Sequence, residues 1–202
     1  MPALDELTLL DWKRRVFRLY EQVRSEPDAE RAWKNWRGTR DDLFRSHPQS
    51  PIPLDRRAAF EGLPYFDYDP AFRVLADVEP AETELREIAT SGESPYTFRR
   101  FARGRFELDG EERALSLFWL EGYGGGVFVS FADATSGRET YGACRYLLDT
   151  VKGSDLGMED GRIVLDFNFA YNPSCAYDPR WVCPLAPPEN RLGVPVRAGE
   201  RV

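Results

Sequence analysis

In Tyr141-Gly142-Ala143-Cys144-Arg145-Tyr146 a guanidinium stands between two tyrosines, on a segment that reads as a central strand. A guanidinium in such a place needs an anion or a set of carbonyls around it. Asp166 and Asn168 on the next predicted strand, with Asp149 nearby, would serve structurally; left open, Arg145 would bind a carboxylate or a phosphate. Polar and aromatic residues alternate in Asp166-Phe167-Asn168-Phe169-Ala170-Tyr171-Asn172, so Asp166, Asn168, Ala170 and Asn172 project to one side if the strand persists. Inside a barrel mouth such a polar row is a binding site, and outside it is the wet face of a sheet. Arg145, Tyr146, Asp166, Asn168, Tyr171 and Asn172 are therefore the candidate ligand-binding residues of a small-molecule-binding β-domain. One alternative is a hydrolase-like enzyme with Asp166 as base and Arg145 stabilising an anionic intermediate. Another is a structural or protein-interaction domain in which the same residues serve folding.

Other chemistries find less support. His47 is the sole histidine and sits in a proline-rich stretch far from the cysteines, which leaves a zinc site weakly supported and no metal ligands assigned. No nucleophile elbow surrounds Ser174, and a Ser-His-Asp constellation is disfavoured. Cys175 and Cys183 flank Pro179 at a spacing that permits a hairpin, so they read as buried free thiols, a bridge or two ligands of an incomplete site. The run Gly124-Gly125-Gly126 precedes a predicted strand, lacks a following Lys-Ser or Lys-Thr, and reads as a turn rather than a phosphate loop. No residue identifies a cofactor, and catalytic residues cannot be named.

The elements that must position these residues change period along the chain. Trp12, Val16, Leu19, Tyr20 and Val23 recur at helical spacing and predict an amphipathic helix over about 9–24. Asp28 can cap a second short helix bearing Trp33 and Trp36 and stopped by Gly38, and Thr39 with Asp42 resembles a capping box for a third. After the prolines at 48, 51 and 53 the pattern becomes alternating. Strands are expected at 72–78, 85–89, 96–108, 113–120, 127–132, 139–141, 146–151 and 162–169, with Asp109-Gly110 as a tight hairpin turn. A last strand is expected near 194–196.

The fold expectation is α+β: N-terminal helices packed on a predominantly antiparallel, curled or barrel-like β-sheet, finished by an extended Pro-rich C-terminal strap. One domain would span 1–202, with a helical part at 1–46, a Pro-rich connection at 47–64, an antiparallel β-domain at 65–170 and the strap at 171–202. The strap carries Tyr171, Tyr177, Trp181 and Leu185, unlike a solvated tail, so it should be ordered. Glu189 and Asn190 would tie it down through backbone hydrogen bonds.

With 202 residues, 42% apolar and 13% aromatic, the chain can bury a sizeable core, which excludes wholesale disorder. Net charge is -7, and only Lys13, Lys34 and Lys152 are lysines among 27 basic residues. That acidic, Arg-rich, Lys-poor balance points to a GC-rich genome or a salt-adapted, halophilic cytoplasm and argues against nucleic acid as a partner. The densest basic stretch, Arg99, Arg100, Arg103 and Arg105, reads as a solvated sheet face. No apolar run is long enough for a membrane span and no secretory pattern opens the chain, so a soluble, cytoplasmic protein is expected, of open oligomeric state.

Three segments together carry a family likeness: Phe60-Glu61-Gly62-Leu63-Pro64-Tyr65-Phe66-Asp67-Tyr68-Asp69-Pro70, the stretch 141–147, and 165–177 with 183–192. In these the chain resembles the domain of unknown function 1684 family of uncharacterised bacterial and archaeal proteins. The resemblance implies that the strap belongs to the domain and lends no activity. Where the family pattern looks like Tyr-Gly-Gly-Gly-Arg-Tyr, this chain has Ala143 and Cys144, which makes Cys144 a poor catalytic candidate; Arg145 and Tyr146 still match.

Overall fold

The apolar face built on Trp12, Val16, Leu19, Tyr20 and Val23 forms one side of helix α1 (Asp5–Ser25) in the computed structural model, which describes residues 4–202. Residues 1–3 of the expected helical part lie outside the described residues. The helix begins a turn earlier than its apolar spacing suggests, with Asp5 and Glu6 complementing the exposed N–H groups of its first turn. Asp28 opens α2 (Ala29–Ser46) by accepting the Arg31 N–H at 3.0 Å. The expected stop at Gly38 does not occur: the predicted second and third helices are one. A glycine in an exposed helix position costs about 1 kcal/mol against alanine. Burying Leu43 and Phe44 on the turns beyond it outweighs that. The helices meet through Trp12 on Phe44 and Tyr20 on Trp36, and α2 reaches the rest of the core through Trp36 on Phe169, centroids 5.2 Å apart.

The connection that follows is held from within, Arg57 donating to the carbonyls of His47, Ser50 and Ile52. Seven strands then form one antiparallel sheet: β1 (Arg73–Ile88), β2 (Tyr96–Leu108), β3 (Glu111–Leu120), β4 (Val127–Phe131), β5 (Arg145–Asp149), β6 (Met158–Glu159) and β7 (Arg162–Asp166). Their spatial order is β5-β4-β3-β2-β1-β7-β6. The strands expected at 72–78 and 85–89 are a single β1 with a register shift between Pro80 and Glu84. Asp109 and Gly110 turn the β2–β3 hairpin at φ 56° and 71°, as their types foretell. The segment 139–141 is a turn with one bridge, and 194–196 is not a strand. β6, too short to show a period, is an addition.

The sheet curls into a half-barrel around Phe106, Leu115, Leu117, Phe131, Leu165 and Phe167, with α1 and α2 as the covering layer. β5, expected to be central, is an edge strand, but the edge is covered: Tyr146 and Tyr171 exchange backbone hydrogen bonds of 2.8 and 3.0 Å. Covering of this kind removes the exposed N–H and C=O row that invites edge-to-edge association.

The strap is ordered and extended. β3 and β4 pair only where Phe118 and Trp119 face Phe128 and Val127. Beyond that point buried Asn190 fills the gap like a piece of backbone, accepting from Ser116 N–H at 2.7 Å and donating to the carbonyls of Ser116 and Ser130. On β2, Arg99, Arg100 and Arg105 pair with Glu121, Glu84 and the two carboxylates of Glu79 and Glu112. Among the described residues no helix is long and apolar enough to cross a membrane.

Candidate functional site

Arg145 is 1% exposed and its partner is neither Asp166 nor Asn168. Its guanidinium lies over Phe131, donates to Asp133 Oδ2 at 2.7 Å and to Val196 O at 2.9 Å, and donates also to Ala198 O. Asp133 accepts further on Oδ1, from Thr135 N–H and Oγ1 and from Val196 N–H. This hub pins the end of the strap to the region just past β4. Asp133 escaped the sequence reading because nothing in Ala132-Asp133-Ala134-Thr135 distinguishes a buried counterion from an ordinary turn aspartate.

The polar row expected on one strand face does not form. β7 ends at Asp166, and Phe167–Phe169 closes a 3-10 turn capped by Asp166 Oδ1, which accepts Asn168 N–H at 3.0 Å and Asn168 Nδ2–H at 2.8 Å. A change of period rotates the residues after Asp166 to different sides. Asn168, fully buried, exchanges hydrogen bonds with both backbone groups of Asp69. Asp166 instead lines an outer cleft of about 680 Å³ between the α1–α2 turn, the β6–β7 hairpin and the start of β1. Burial pushes its carboxyl up to about 6, against the two Asn168 hydrogen bonds and the Arg73 Nε 4.0 Å away, which lower it. Tyr68 on the same wall is pushed up to about 12, again by burial. A carboxyl ionising near neutrality beside a guanidinium can take or give a proton. Arg145 does not line this cleft.

Tyr146, Tyr171 and Asn172 do come together, around an inner cavity of about 100 Å³ beneath α1 and α2. The helices contribute Tyr20 and Arg40, the segment after β5 contributes Lys152 and Ser154, and the strap contributes Cys183. Arg40 is held by Tyr65 Oη at 2.9 Å and Glu200 Oε2 at 2.9 Å while its guanidinium stacks over Trp36, Phe44 and Tyr171. Glu200 is fully buried and also accepts from Asn172 N–H and Tyr177 Oη; burial pushes its carboxyl up. Asn172 gives its amide hydrogens to Glu200 Oε1 and Arg201 O, which leaves Oδ1 buried without a partner. Ser154 Oγ is the second buried polar atom on this wall without a partner. Tyr146 Oη donates to Pro184 O at 2.7 Å, so the ring is a fixed wall rather than a free hydroxyl. Arg40, Ser154 and Glu200 lie far apart in the chain, in segments that read locally as helix surface, turn and tail.

His47 Nε2 lies 3.1 Å from Asp11 Oδ2 and its Nδ1 accepts Gln49 N–H, joining α1 to the connection. Cys144, Cys175 and Cys183 are free thiols. Among the described residues no group of three or more His, Cys, Asp or Glu side chains could hold a metal ion.

A family model described as a protein of unknown function, DUF1684, matches residues 58–201, which takes in the whole sheet and the strap but not α1 or α2. The solution NMR structure of an uncharacterised protein from Haloarcula marismortui is similar, with a TM-score of 0.62 and 40% identity over 86% of this chain and 94% of that one. No curated protein matches. With its sheet, strap and the segments around Arg145 and Asn172 all inside the matched region, the chain belongs to the DUF1684 family, proteins of unknown function.

Proposed function

We propose that the protein is a small-molecule-binding β-domain whose site is the inner cavity beneath α1 and α2. One observation carries the reading: Asn172 Oδ1 and Ser154 Oγ are both buried, both without a partner, and both on the wall of the same cavity. An unpaired buried polar group costs about 1–3 kcal/mol, which a ligand that pairs with it recovers. Asn172 Oδ1 can only accept, so the ligand brings an N–H or O–H donor. A cavity of 150 Å³ holds benzene, so one of about 100 Å³ takes a molecule of about six heavy atoms or fewer. Tyr146, Tyr171 and Asn172 serve binding, while Arg145 and Asn168 hold the frame. Native mass spectrometry beside the denatured chain is expected to show a small polar mass on the wild type that is lost from Ser154→Leu, whose added carbons fill the cavity. Equal masses for both chains overturn the reading.

A second reading, hydrolase-like chemistry, is favoured by the raised carboxyl of Asp166 on the outer cleft. Its cation is then Arg73 rather than Arg145, because Arg145 is engaged with Asp133.

A further inference from the structure

The three cysteines occupy one neighbourhood but not one environment. Cys144 is 0% exposed, directs its thiol at Pro184 O at 3.7 Å, and is pushed up to about 12 by burial, as befits a small core side chain. Cys175 is half-buried, at the start of a loop that returns to Cys183. The loop closes on itself: Cys175 N–H donates to Cys183 Sγ at 3.4 Å. Tyr141 Oη lies 3.7 Å from Cys175 Sγ on the other side. Ser91, at the tip of the β1–β2 hairpin, fixes Cys183 through its N–H to Cys183 O at 2.9 Å and its Oγ to Cys183 N–H at 3.0 Å. One hydrogen bond thus ties Cys175 to Cys183 and two more tie Cys183 to Ser91, with the Cys175 thiol half-buried and the Cys183 thiol buried behind it.

We propose that Cys175 and Cys183 are a reactive dithiol, Cys175 attacking and Cys183 resolving, oxidised to an intramolecular disulfide by a low-molecular-weight disulfide. In the first step the Cys175 thiolate displaces one thiolate from the small disulfide and forms a mixed disulfide. Cys183, giving up its proton to solvent, then attacks the Cys175 sulfur, the new S–S bond forms and the second small thiolate leaves. The protein loses two electrons and two protons, and one disulfide becomes two thiols. The surroundings favour this division of roles, since Cys175 is the more exposed of the two and the neighbouring Cys183 thiol, against partial burial and with help from Tyr141, brings the Cys175 thiol down to about 6 while Cys183 is pushed up. A nucleophilic cysteine of this kind sits in a partly exposed site that stabilises its thiolate. Nothing in the proposal depends on the inner cavity binding a ligand.

The test is oxidised glutathione at neutral pH on the full, folded chain, read by thiol counting and peptide mass mapping. The wild type is expected to fall from three titratable thiols to one, with Cys175 linked to Cys183 and Cys144 untouched. Cys183→Ser should stop at glutathione on Cys175, and Cys175→Ser should keep its two thiols. A linkage through Cys144, or three thiols remaining, overturns the proposal. If Cys183→Ser does not fold, the wild-type alkylation profile decides: the iodoacetamide rate at Cys175 should be half-maximal near pH 6. A midpoint at the ordinary thiol value of about 8.5 overturns the assignment of Cys175 as the attacking group.

Discussion

Asp133 and Arg145 form an ion pair of which neither side chain is more than 1% exposed, and the penalty for breaking it follows from that burial. Replacing Arg145 by Met removes the cation and leaves Asp133 charged in the interior, together with the carbonyls of Val196 and Ala198 that lose their donors. Breaking such a pair costs about 3–5 kcal/mol. Urea denaturation should show a midpoint lowered accordingly, with Arg145→Lys close to the same loss, because one ammonium cannot reach three acceptors set around a planar fork. A loss under 1 kcal/mol would mean that the strap is anchored elsewhere. The need for a partner was legible from Arg145 itself; its identity was not. Register brings Arg145 opposite Phe131, two residues before Asp133, and no local pattern reveals strand register.

At the scale of elements, the features legible in the sequence are those coded by short-range chemistry. The alternation of β2 and β3, the Asp109-Gly110 turn, the Asp28 cap and the aromatic strap are each written in adjacent residues. What escaped was decided by distant contacts. Gly38 breaks a helix only when nothing is gained by continuing, and here Leu43 and Phe44 are buried by continuing. Phe167 leaves the strand so that it can face Phe106 and Phe131 inside the curl, which alternation alone cannot express. The same departure explains why the candidate site was only partly legible: Tyr146, Tyr171 and Asn172 meet, while Asp166 faces another cleft. The strap then returns across this turn at Gly199, which has φ 78° and would place a Cβ 2.6 Å from Ala170 O and 2.7 Å from Phe167 O. Gly199→Ala must therefore both strain the backbone and part the strap from the turn. A loss of about 1–3 kcal/mol is expected in thermal or urea unfolding, and Gly193→Ala, where a Cβ meets nothing, serves as the control.

For the molecule as a whole, Asp166 makes stability a function of pH in a direction opposite to the surface carboxylates. Hydrogen bonds and ion pairs hold Glu26, Glu139 and Glu159 below the usual range, so their contribution is lost as acid protonates them. Asp166 is raised from 3.8 to about 6. Between those values the folded chain keeps a proton that the unfolded chain has released, and stability falls as pH rises through this window, levelling off above it. The shift corresponds to about 3 kcal/mol. Asp166→Asn removes the buried charge yet keeps an oxygen to accept both Asn168 hydrogen bonds, and Arg73 retains Glu159 at 2.6 Å. The variant should match the wild type near pH 4, where Asp166 is already neutral, and exceed it by about 2–3 kcal/mol at pH 8. Urea unfolding of the two chains across that range isolates Asp166, because every other titrating group, buried Glu200 included, is common to both. A variant that is less stable at pH 8 would show that the charge serves the fold, and the hydrolase-like reading would lose its support. A more stable variant would mean that the protein carries an ionisable carboxyl at its own cost on the wall of an open cleft, which is the thermodynamic mark of a group held for chemistry rather than for folding.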